Sequence, residues 1–375
     1  MIAAVPKESF PGEKRVSLIP SHIPPLIKSG LEIIIETNAG LQAGFPDELY
    51  IAKGATIVES KDTLLSSADI VLFVRGGGAN PVEGKKDLEK MKEGSLFLGQ
   101  LNPYEMAPFS ALLTRKKLNA FALELMPRIS RAQSMDILSS MASVAGYKAG
   151  VLAADNLNKM FPMMMTAAGT VTPARILIIG AGVAGLQAIA TTHRLGALVT
   201  SYDIRPAVKE QVESLGAKFL ELPLETDDAE DKGGYAKEMD ETFYKKQQTL
   251  LGETIASSDV VITTASIPGK KSPVLITEGM VKKMLPGSVL IDLAAERGGN
   301  CELTKADEIV NMNGVTIMGP TNLVSEVPNH ASQLYSKNLS NFLNLLIADG
   351  NVEINEKDEI VKGTLICREG EWLYG

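Results

Sequence analysis

The sequence predicts an α/β protein of two Rossmann-like lobes with parallel sheets, joined by long helices, with a cleft between the lobes. Short aliphatic runs alternate with polar stretches of helical composition along most of the 375 residues. Runs of this kind are typical of parallel sheets covered by helices on both faces. The length, with 45% hydrophobic and 22% charged residues, predicts two globular domains.

The first domain opens with a series of predicted strands and helices. Five aliphatic runs are interpreted as strands, at residues 2–5, 31–36, 70–74, 96–98 and 120–123. Helical stretches are predicted at residues 20–28, 62–68 and 105–116. The segment from Arg75 to Pro81, within VRGGGANP, also follows a strand but lacks the third glycine of a dinucleotide loop. We expect it to be a flexible loop at the lip of the cleft.

The pattern changes after about residue 133. Residues 135–157 carry small and apolar side chains at helical spacing without proline, which predicts one long helix leading into the second domain. Residues 160–174 are uncharged and rich in methionine. We interpret them as a protruding hairpin at a subunit interface, with a core segment as the alternative. Strands and helices resume at Arg175, and a further long helix is predicted near residue 335.

These elements suggest the domain boundaries. Residues 1–137 and 329–375 are assigned to an N-terminal, flavodoxin- or Rossmann-like lobe, and residues 138–328 to a second Rossmann domain. Within the second domain, residues 222–242 interrupt the alternation with an acidic segment that contains Gly234 and the lone aromatic Tyr235. A loop of this length inside a compact domain is usually functional, so we expect a mobile loop here.

The segment RILIIGAGVAGLQA carries the strongest chemical signal. Gly180, Gly182 and Gly185 follow a predicted strand and open a predicted helix. In a dinucleotide site these glycines make the tight turn, let the backbone approach a pyrophosphate and let the helix pack closely, while the helix N-terminus offers free N–H groups. Asp203 ends the next strand, 23 residues after Gly180. A carboxylate there accepts both ribose hydroxyls and repels a 2′-phosphate, which predicts NAD(H). Nearby Arg205 would soften that selectivity, with Asp203 dominant.

Composition excludes several other classes of protein. The net charge of −8 provides no sustained basic face for a nucleic acid. Cys301 and Cys367 have neither disulfide nor metal spacing, and no metal is expected. The N-terminus has no signal-peptide core, and the uncharged stretch 176–193 is divided by its glycines into strand, turn and helix. We therefore expect the chain itself to be soluble.

The catalytic groups that a complete dehydrogenase needs are hard to find. Oxidation of an alcohol or amine also moves a proton, which requires a tuned acid or base in the cleft. His22, His193 and His330 are each better explained by structural or solvated roles. Hydride transfer directly between two nicotinamides needs only proximity and orientation of the two rings.

Candidates for holding the nicotinamide lie in ELMPRISRAQSMDILSS. Arg128 can donate to a carboxamide oxygen, and Asp136 and Ser139, three residues apart, share a helical face. Gln133 is the fourth polar residue of this junction between the lobes. Sequence alone leaves open the alternative that these residues merely cap a helix start.

The whole chain resembles the NAD(H)-binding alpha subunit of proton-translocating NAD(P) transhydrogenase, a relative of alanine dehydrogenase. The resemblance rests on the segments quoted above and on VPKE, EKRVSLIP, GGYAKEM, TTASIPGK and GPTNLVSEVPNHASQLYSKN. The resemblance implies that Arg128, Asp136 and Ser139 hold the nicotinamide ring and that Gln133 reaches towards a partner's NADP(H). These four are the expected catalytic positions. The Tyr235 loop would be a lid over the nucleotide. The expected nucleotide contacts, in chain order, are Arg128, Ile129, Ser130, Gln133, Gly180, Ala181, Gly182, Val183, Gly185, Asp203, Ile204, Arg205, Gly234, Tyr235, Gln247 and Ser266.

The resemblance also implies partners and a place in the cell. We expect a homodimer that works with an NADP(H)-binding component and a membrane proton-channel component, peripheral at the cytoplasmic face of the inner (plasma) membrane. The chain would pass hydride between NADH and the partner's NADP⁺, coupled to proton translocation.

Two alternatives are an alanine dehydrogenase-like amino-acid oxidoreductase and a non-enzymatic NAD-sensing module. Arg15 matches the arginine of alanine dehydrogenases, but Arg75 and Gln100 stand where that family has Lys and His. Neither an arginine nor a glutamine is a useful base.

Overall fold

The computed structural model describes residues 1–224, 239–266, 270–348 and 350–374. The chain forms two compact units. The first unit contains Met1–Met141 and Val324–Gly375, and the second contains Ala142–Leu323. The predicted Gly234 and Tyr235 lie outside the described residues.

The strands are, in chain order, β1 (Ile2–Val5), β2 (Glu32–Glu36), β3 (Thr56–Val58), β4 (Ile70–Arg75), β5 (Leu96–Gln100), β6 (Asn119–Ala122), β7 (Met164–Thr166), β8 (Gly169–Val171), β9 (Arg175–Ile179), β10 (Leu198–Tyr202), β11 (Lys218–Phe219), β12 (Val260–Thr263), β13 (Val289–Asp292), β14 (Ile309–Met312), β15 (Val315–Met318), β16 (Ile347–Ala348), β17 (Asn351–Val352), β18 (Leu365–Arg368) and β19 (Glu371–Trp372).

The α-helices are α1 (Ile23–Lys28), α2 (Asp47–Ile51), α3 (Lys61–Ser67), α4 (Gly84–Lys90), α5 (Ser110–Lys116), α6 (Ile137–Asn156), α7 (Val183–Arg194), α8 (Lys209–Ser214), α9 (Glu241–Ala256), α10 (Glu278–Val281), α11 (Pro328–Leu346) and α12 (Glu359–Thr364).

The sheet of the first unit has the strand order β19-β18-β6-β5-β4-β1-β2-β3. Strands β1 to β6 are parallel, whereas β18 pairs antiparallel with β6, and β19 antiparallel with β18. Every residue of the central strand β4 is buried, as expected for a parallel strand covered on both faces. Strands β2 and β3 extend the sheet on one side of β1, and β4 to β6 extend it on the other side, so the strand order reverses between β1 and β4. In open α/β sheets, ligands bind at such a switch point.

The sheet of the second unit repeats this plan with the order β11-β10-β9-β12-β13-β15-β14. All of its pairings are parallel except that of β14 with β15. Its switch point lies between β9 and β12, both buried along almost their whole length. The predicted α/β class with parallel sheets is therefore confirmed.

Several features differ from the sequence-based expectation. The short edge strand β3 and the antiparallel strand β14 were not anticipated. The segment from Arg75 to Pro81 is not a flexible lip, because Gly77 and Gly78 are buried in a 3₁₀ turn. A Cβ on Gly78 would lie 2.8 Å from the Asn102 carbonyl oxygen, so the turn is closely packed. The prediction of a flexible loop was wrong since glycine here allows close packing instead of mobility.

Helix α6 is the one described helix long and apolar enough to cross a membrane by length and composition. Its small residues instead pack against protein. A Cβ on Gly146 would lie 2.1 Å from the Ala184 carbonyl oxygen, and one on Gly150 would lie 3.0 Å from Thr191. These glycines let α6 lie close to α7 in the second unit. One such helix is weak evidence for a membrane span.

An ion-pair cluster is buried at the carboxyl ends of β1 and β4. Glu13 accepts two hydrogen bonds from the Arg15 guanidinium, both at 2.7 Å, and a third at 2.6 Å from the Ser325 hydroxyl. The Nε of Arg75 lies 3.6 Å from Glu13, and the Arg75 guanidinium stacks on the Phe10 ring at 4.4 Å from its centroid. The side chains of Glu13 and Arg15 are 0% and 2% exposed. The cluster therefore holds the N-terminal segment against the switch point.

Burial and ion pairing oppose each other at Glu13. Burial alone would raise the pKa of this carboxyl group, but hydrogen bonds and charge from Arg15, with the Ser325 hydroxyl, lower it to about 2. Since the pKa in the folded chain is below the usual 4.5, the ionised form stabilises the fold. That contribution is fully present above pH 4.5 and is lost as the pH falls towards 2.

We predict that Glu13→Gln lowers the free energy of unfolding by about 3 kcal/mol at pH 7. The difference from wild type should shrink as the pH falls from 4.5 towards 2, because wild-type Glu13 then becomes protonated. Urea unfolding followed by circular dichroism at several pH values measures this. Glu326→Gln, which breaks the exposed Lys14–Glu326 pair, is the control and should cost less than about 1 kcal/mol. A difference that stays constant down to pH 2.5 would contradict the assignment.

Candidate functional site

The turn between β9 and α7 in the second unit has the geometry of a dinucleotide-binding turn. Gly180 has a φ of +99°, which favours glycine, and its N–H donates to the Tyr202 carbonyl at 2.8 Å. A Cβ on Gly185 would lie 1.8 Å from the Gly180 carbonyl oxygen. The first and third glycines of the motif are therefore required by the protein's own packing.

Gly182 is different, because no packing contact among the described residues requires a glycine there. A Cβ there would meet no atom of the described residues within 4 Å, and its φ of −74° suits any residue. The position is the N-cap of α7, where the free N–H groups of a helix and the positive end of its dipole are exposed. A missing side chain at this point keeps the helix N-terminus open to a phosphate group. This open glycine indicates a ligand requirement.

Asp203, directly after β10, is tied to this turn. Its Oδ2 accepts the Ala181 N–H at 2.7 Å, and its Oδ1 accepts the Arg205 N–H at 2.9 Å. The Arg205 guanidinium also donates to both carboxylate oxygens, from Nε to Oδ1 at 2.9 Å and from Nη2 to Oδ2 at 2.8 Å. The carboxylate is thus at the place expected for ribose recognition, and its own neighbour already pairs with it.

The remaining predicted residues of the second unit surround this end of the sheet. Val183 is the first residue of α7 and is 38% exposed, while Ile204 is partly buried beside Asp203. Gln247 on α9 is buried and donates to the Tyr202 hydroxyl at 2.9 Å, and its Oε1 accepts no hydrogen bond within the described residues. Ser266 follows β12 and is exposed.

Sequence reasoning missed the residues that support the turn from β12 and β13. The Thr264 hydroxyl donates to the Gly180 carbonyl at 3.0 Å. The Asn300 side chain bonds both the N–H and the carbonyl of Ala265, at 3.0 and 2.9 Å, and so holds the segment after β12. Asp292, fully buried, accepts the Asn300 N–H at 2.7 Å. Thr264 and Asp292 are the last residues of the strands that the sequence predicts at residues 260–264 and 289–292, and this position was their only sequence signal.

The segment predicted to hold a nicotinamide lies in the first unit and is firmly anchored. Residues Ser130–Met135 form a 3₁₀ helix in which Ala132 is buried. Arg131 makes a two-pronged ion pair with Asp358, at 2.8 Å for both contacts. The Ser134 carbonyl accepts the side-chain amides of two α11 residues, Asn338 and Asn341, at 2.9 and 3.0 Å. The segment is therefore a rigid platform.

The predicted residues occupy distinct places on this platform. Arg128, Ser130 and Gln133 are exposed, while Ile129 is half-buried and packs on the core. Asp136 caps α6, because its Oδ1 accepts the Ser139 N–H at 3.0 Å and its Oδ2 the Ser139 hydroxyl at 2.5 Å. Asp136 and Ser139 therefore form a helix cap, which is the alternative that the sequence left open. Gln133 is exposed to solvent.

The positions compared with alanine dehydrogenase belong to the same unit. Arg15 and Arg75 lie in the buried cluster around Glu13, and Gln100 ends β5, with its N–H donating to the Tyr335 hydroxyl at 3.2 Å. Of the histidines, His22 bonds the Ser336 hydroxyl at 2.7 Å, while His193 and His330 are exposed. Within the described residues, no group of three or more His, Cys, Asp or Glu side chains could hold a metal ion.

The second unit therefore fits a dinucleotide. A glycine turn with an open helix N-terminus suits a pyrophosphate, and the carboxylate after β10 suits a ribose diol. The site lies at the carboxyl ends of β9 and β10, beside the switch point to β12, where open α/β sheets bind nucleotides.

Comparison with known proteins agrees with this geometry. The family models for alanine dehydrogenase/PNT match the N-terminal domain at residues 4–145 and the C-terminal domain at residues 149–375. The chain is 49% identical over 377 aligned positions to an NAD(P) transhydrogenase subunit alpha of Rhodospirillum rubrum, covering 100% of this chain and 98% of the relative.

Solved structures show the same similarity. The crystal structure of a transhydrogenase from Sinorhizobium meliloti superposes with a TM-score of 0.88 at 41% identity and full coverage of both chains. An L-alanine dehydrogenase shares the fold, with a TM-score of 0.80 at 24% identity over 100% of this chain and 97% of that one. The expected kinship with transhydrogenase alpha subunits is confirmed, and the chain belongs to the alanine dehydrogenase/PNT family.

Proposed function

We propose that this chain is the NAD(H)-binding component of a proton-translocating transhydrogenase, an oxidoreductase that is active only with partner components. The observation that carries the proposal is the turn at Gly180–Gly185, whose second glycine is not required by any packing contact of the described residues and leaves room for a ligand. The names of the relatives, NAD(P) transhydrogenase subunit alpha among them, support the same reaction. Asp203 after β10 favours a nucleotide with a free ribose 2′-hydroxyl.

The proposed reaction passes a hydride from NADH to NADP⁺ held by a partner, so that NAD⁺ and NADPH are formed. No proton leaves the reacting carbons, and so positioning of the two rings is the main requirement. The platform at Ser130–Met135, anchored through Arg131 and Ser134, is suited to positioning. In this proposal Arg128, Asp136 and Ser139 hold the nicotinamide, and exposed Gln133 reaches towards the partner's nucleotide.

The proposed assembly places this chain at the cytoplasmic face of the inner membrane. It docks there with an NADP(H)-binding component and a membrane proton channel, to which the hydride transfer is coupled. In this proposal the chain contributes the nucleotide and its orientation.

We further propose that the chain is a homodimer. Strands β7 and β8 form a two-stranded hairpin with every strand residue exposed. Met163 and Met165 are 61% and 79% exposed. An exposed apolar hairpin suits a second protein surface better than water, and methionine adapts well to such contacts.

We predict that Gly182→Ala weakens NADH binding about tenfold or more while changing the free energy of unfolding by less than about 1 kcal/mol. The new methyl group meets no atom of the described residues but lies where a pyrophosphate would approach. Calorimetric titration with NADH and thermal unfolding measure the two effects. Gly185→Ala is the matched control and should destabilise the fold, because its Cβ meets the Gly180 carbonyl oxygen. Unchanged NADH affinity in Gly182→Ala would contradict a pyrophosphate site here.

A transfer assay tests the partner role of Gln133. The chain is mixed with an NADP(H)-binding transhydrogenase component, and reduction of an NADP⁺ analogue by NADH is followed. We predict that Gln133→Ala slows transfer about tenfold and leaves NADH affinity within about twofold, since small misplacements are costly for oriented reactants. The exposed Gln42→Ala serves as control and should change neither.

The same assay separates the alternatives. Alanine-dependent NAD⁺ reduction by the isolated chain would favour an amino-acid oxidoreductase. NADH binding without any transfer in the mixture would favour an NAD-sensing module. Equal losses of transfer and NADH affinity in Gln133→Ala would refute the bridging role.

A charged residue on the hairpin should break the dimer. We predict that Met165→Asp shifts the chain from dimer to monomer at micromolar concentration, because the interface would have to bury an unpaired charge. Sedimentation velocity measures the mass. Ile51→Asp, at an exposed apolar residue on α2, should leave the mass unchanged. A wild-type chain that is monomeric at the same concentration would exclude the dimer.

A further inference from the structure

One backbone carbonyl group of the platform, that of Ser134, accepts two side-chain hydrogen bonds from α11. The side-chain amide of Asn338 donates to it at 2.9 Å, and that of Asn341 at 3.0 Å. The two asparagines are three residues apart, so they lie on one face of the helix. A carbonyl oxygen has two lone pairs, and two donors are enough to use both. The orientation of the Ser134 peptide group is therefore set by α11.

This peptide group directly follows Gln133. A short 3₁₀ helix such as Ser130–Met135 has poor hydrogen-bond geometry of its own, and the Asp136 N–H donates to the Gln133 carbonyl only at 3.4 Å. Contacts from outside the turn therefore decide how it lies. Ala132, on the other side of Gln133, is fully buried. Exposed Gln133 thus stands between a buried residue and a peptide group held by two amides.

Asn338 is a costly residue for the fold. Its side chain is 5% exposed, and its Oδ1 accepts no hydrogen bond within the described residues. A buried acceptor without a partner lowers stability, and an apolar side chain of similar shape would avoid that loss. The next residue, Leu339, and Phe342 on the same helix are apolar and fully buried. An asparagine at 338 therefore indicates a need for the amide donor to Ser134 that is separate from stability.

Resting on the transfer function proposed above, we propose that Asn338 and Asn341 are positioning residues for hydride transfer and that they act through Gln133. In this proposal they contact no nucleotide. They fix the direction in which the Gln133 side chain leaves the platform, so that it meets the partner's nucleotide without a search. Because they act only through Gln133, their combined effect on transfer is limited to the effect of removing that side chain.

The first test is the transfer assay with an NADP(H)-binding component and an NADP⁺ analogue. We expect Asn341→Ala to slow transfer about threefold and Asn338→Leu/Asn341→Ala to slow it about tenfold, with NADH affinity within about twofold of wild type. Asn338→Leu alone should slow transfer about threefold. Its midpoint of thermal unfolding should be no lower than that of wild type, because the unpartnered Oδ1 is removed and Ser134 keeps its bond from Asn341. A purely structural role would link slower transfer to lower stability.

A double-mutant cycle tests the route through Gln133. In a Gln133→Ala background, Asn341→Ala should slow transfer no further, whereas its effect on thermal unfolding should be the same in both backgrounds. Asn344→Ala removes an exposed asparagine from the same helix and is the matched control, which should change neither transfer nor unfolding.

Hydrogen exchange of the chain alone tests the same contacts without a partner. In Asn338→Leu/Asn341→Ala the amides of Ser130–Met135 should exchange about tenfold faster, because the turn loses both donors from α11. The amides of the buried strand β4 should keep their wild-type rates.

Three results would overturn the proposal: wild-type transfer in Asn338→Leu/Asn341→Ala, additive slowing in the Gln133→Ala background, or unchanged exchange at Ser130–Met135. A wild-type chain that binds NADH but transfers no hydride in the mixture would instead overturn the proposed function. Hydrogen exchange would then still decide whether the two asparagines hold the platform.

Discussion

The second unit depends on one close contact, between the first turn of α7 and the end of β9. The Gly185 backbone approaches the Gly180 carbonyl so closely that a Cβ would lie 1.8 Å from that oxygen. In the same turn the Ala181 N–H donates to Asp203 at 2.7 Å. The glycine turn and the Asp203 carboxylate are therefore one connected piece of structure. The supporting contacts of Thr264 and Asn300 hold it from the side of β12.

Much of the fold could be predicted because apolar runs of buried parallel strands are strong signals. The predicted run at residues 2–5 matches β1, and that at 70–74 falls within β4. The missed strands β3 and β14 contain no buried residue, and β3 has only three residues. The mostly buried strand β18 was missed as well, because its partner β6 lies far away along the chain. The prediction for the segment after Arg75 was wrong because a glycine-rich sequence suggests flexibility, whereas glycines also permit dense packing. The dense packing is visible only in the structure, where Asn102 and Met106 lie against these glycines.

The position of the candidate site in the chain could be predicted from the sequence, but the contacts within the site could not. Glycine spacing after a strand locates Gly180, Gly182 and Gly185, but only the structure shows that, of these three, Gly182 has no close packing contact with the described residues. Local sequence also could not show that Asp136 and Ser139 bond each other as a cap, or that Arg205 closes on Asp203. The anchoring of Ser130–Met135 was beyond sequence reasoning since its partners, Asp358 and two α11 residues, lie more than 200 residues away along the chain.

The pairing of β18 with β6 has a consequence for how the chain is made. Cys367 of β18 bonds the Leu118 carbonyl across 249 residues of sequence. During synthesis the first parallel strands can therefore assemble while the outer edge of β6 still lacks its neighbour. An unpaired edge of this kind is a template for association with other nascent chains. We expect the interval between translation of β6 and β18 to be the one in which this protein most needs a ribosome-associated chaperone, and slower elongation there to lower its soluble yield.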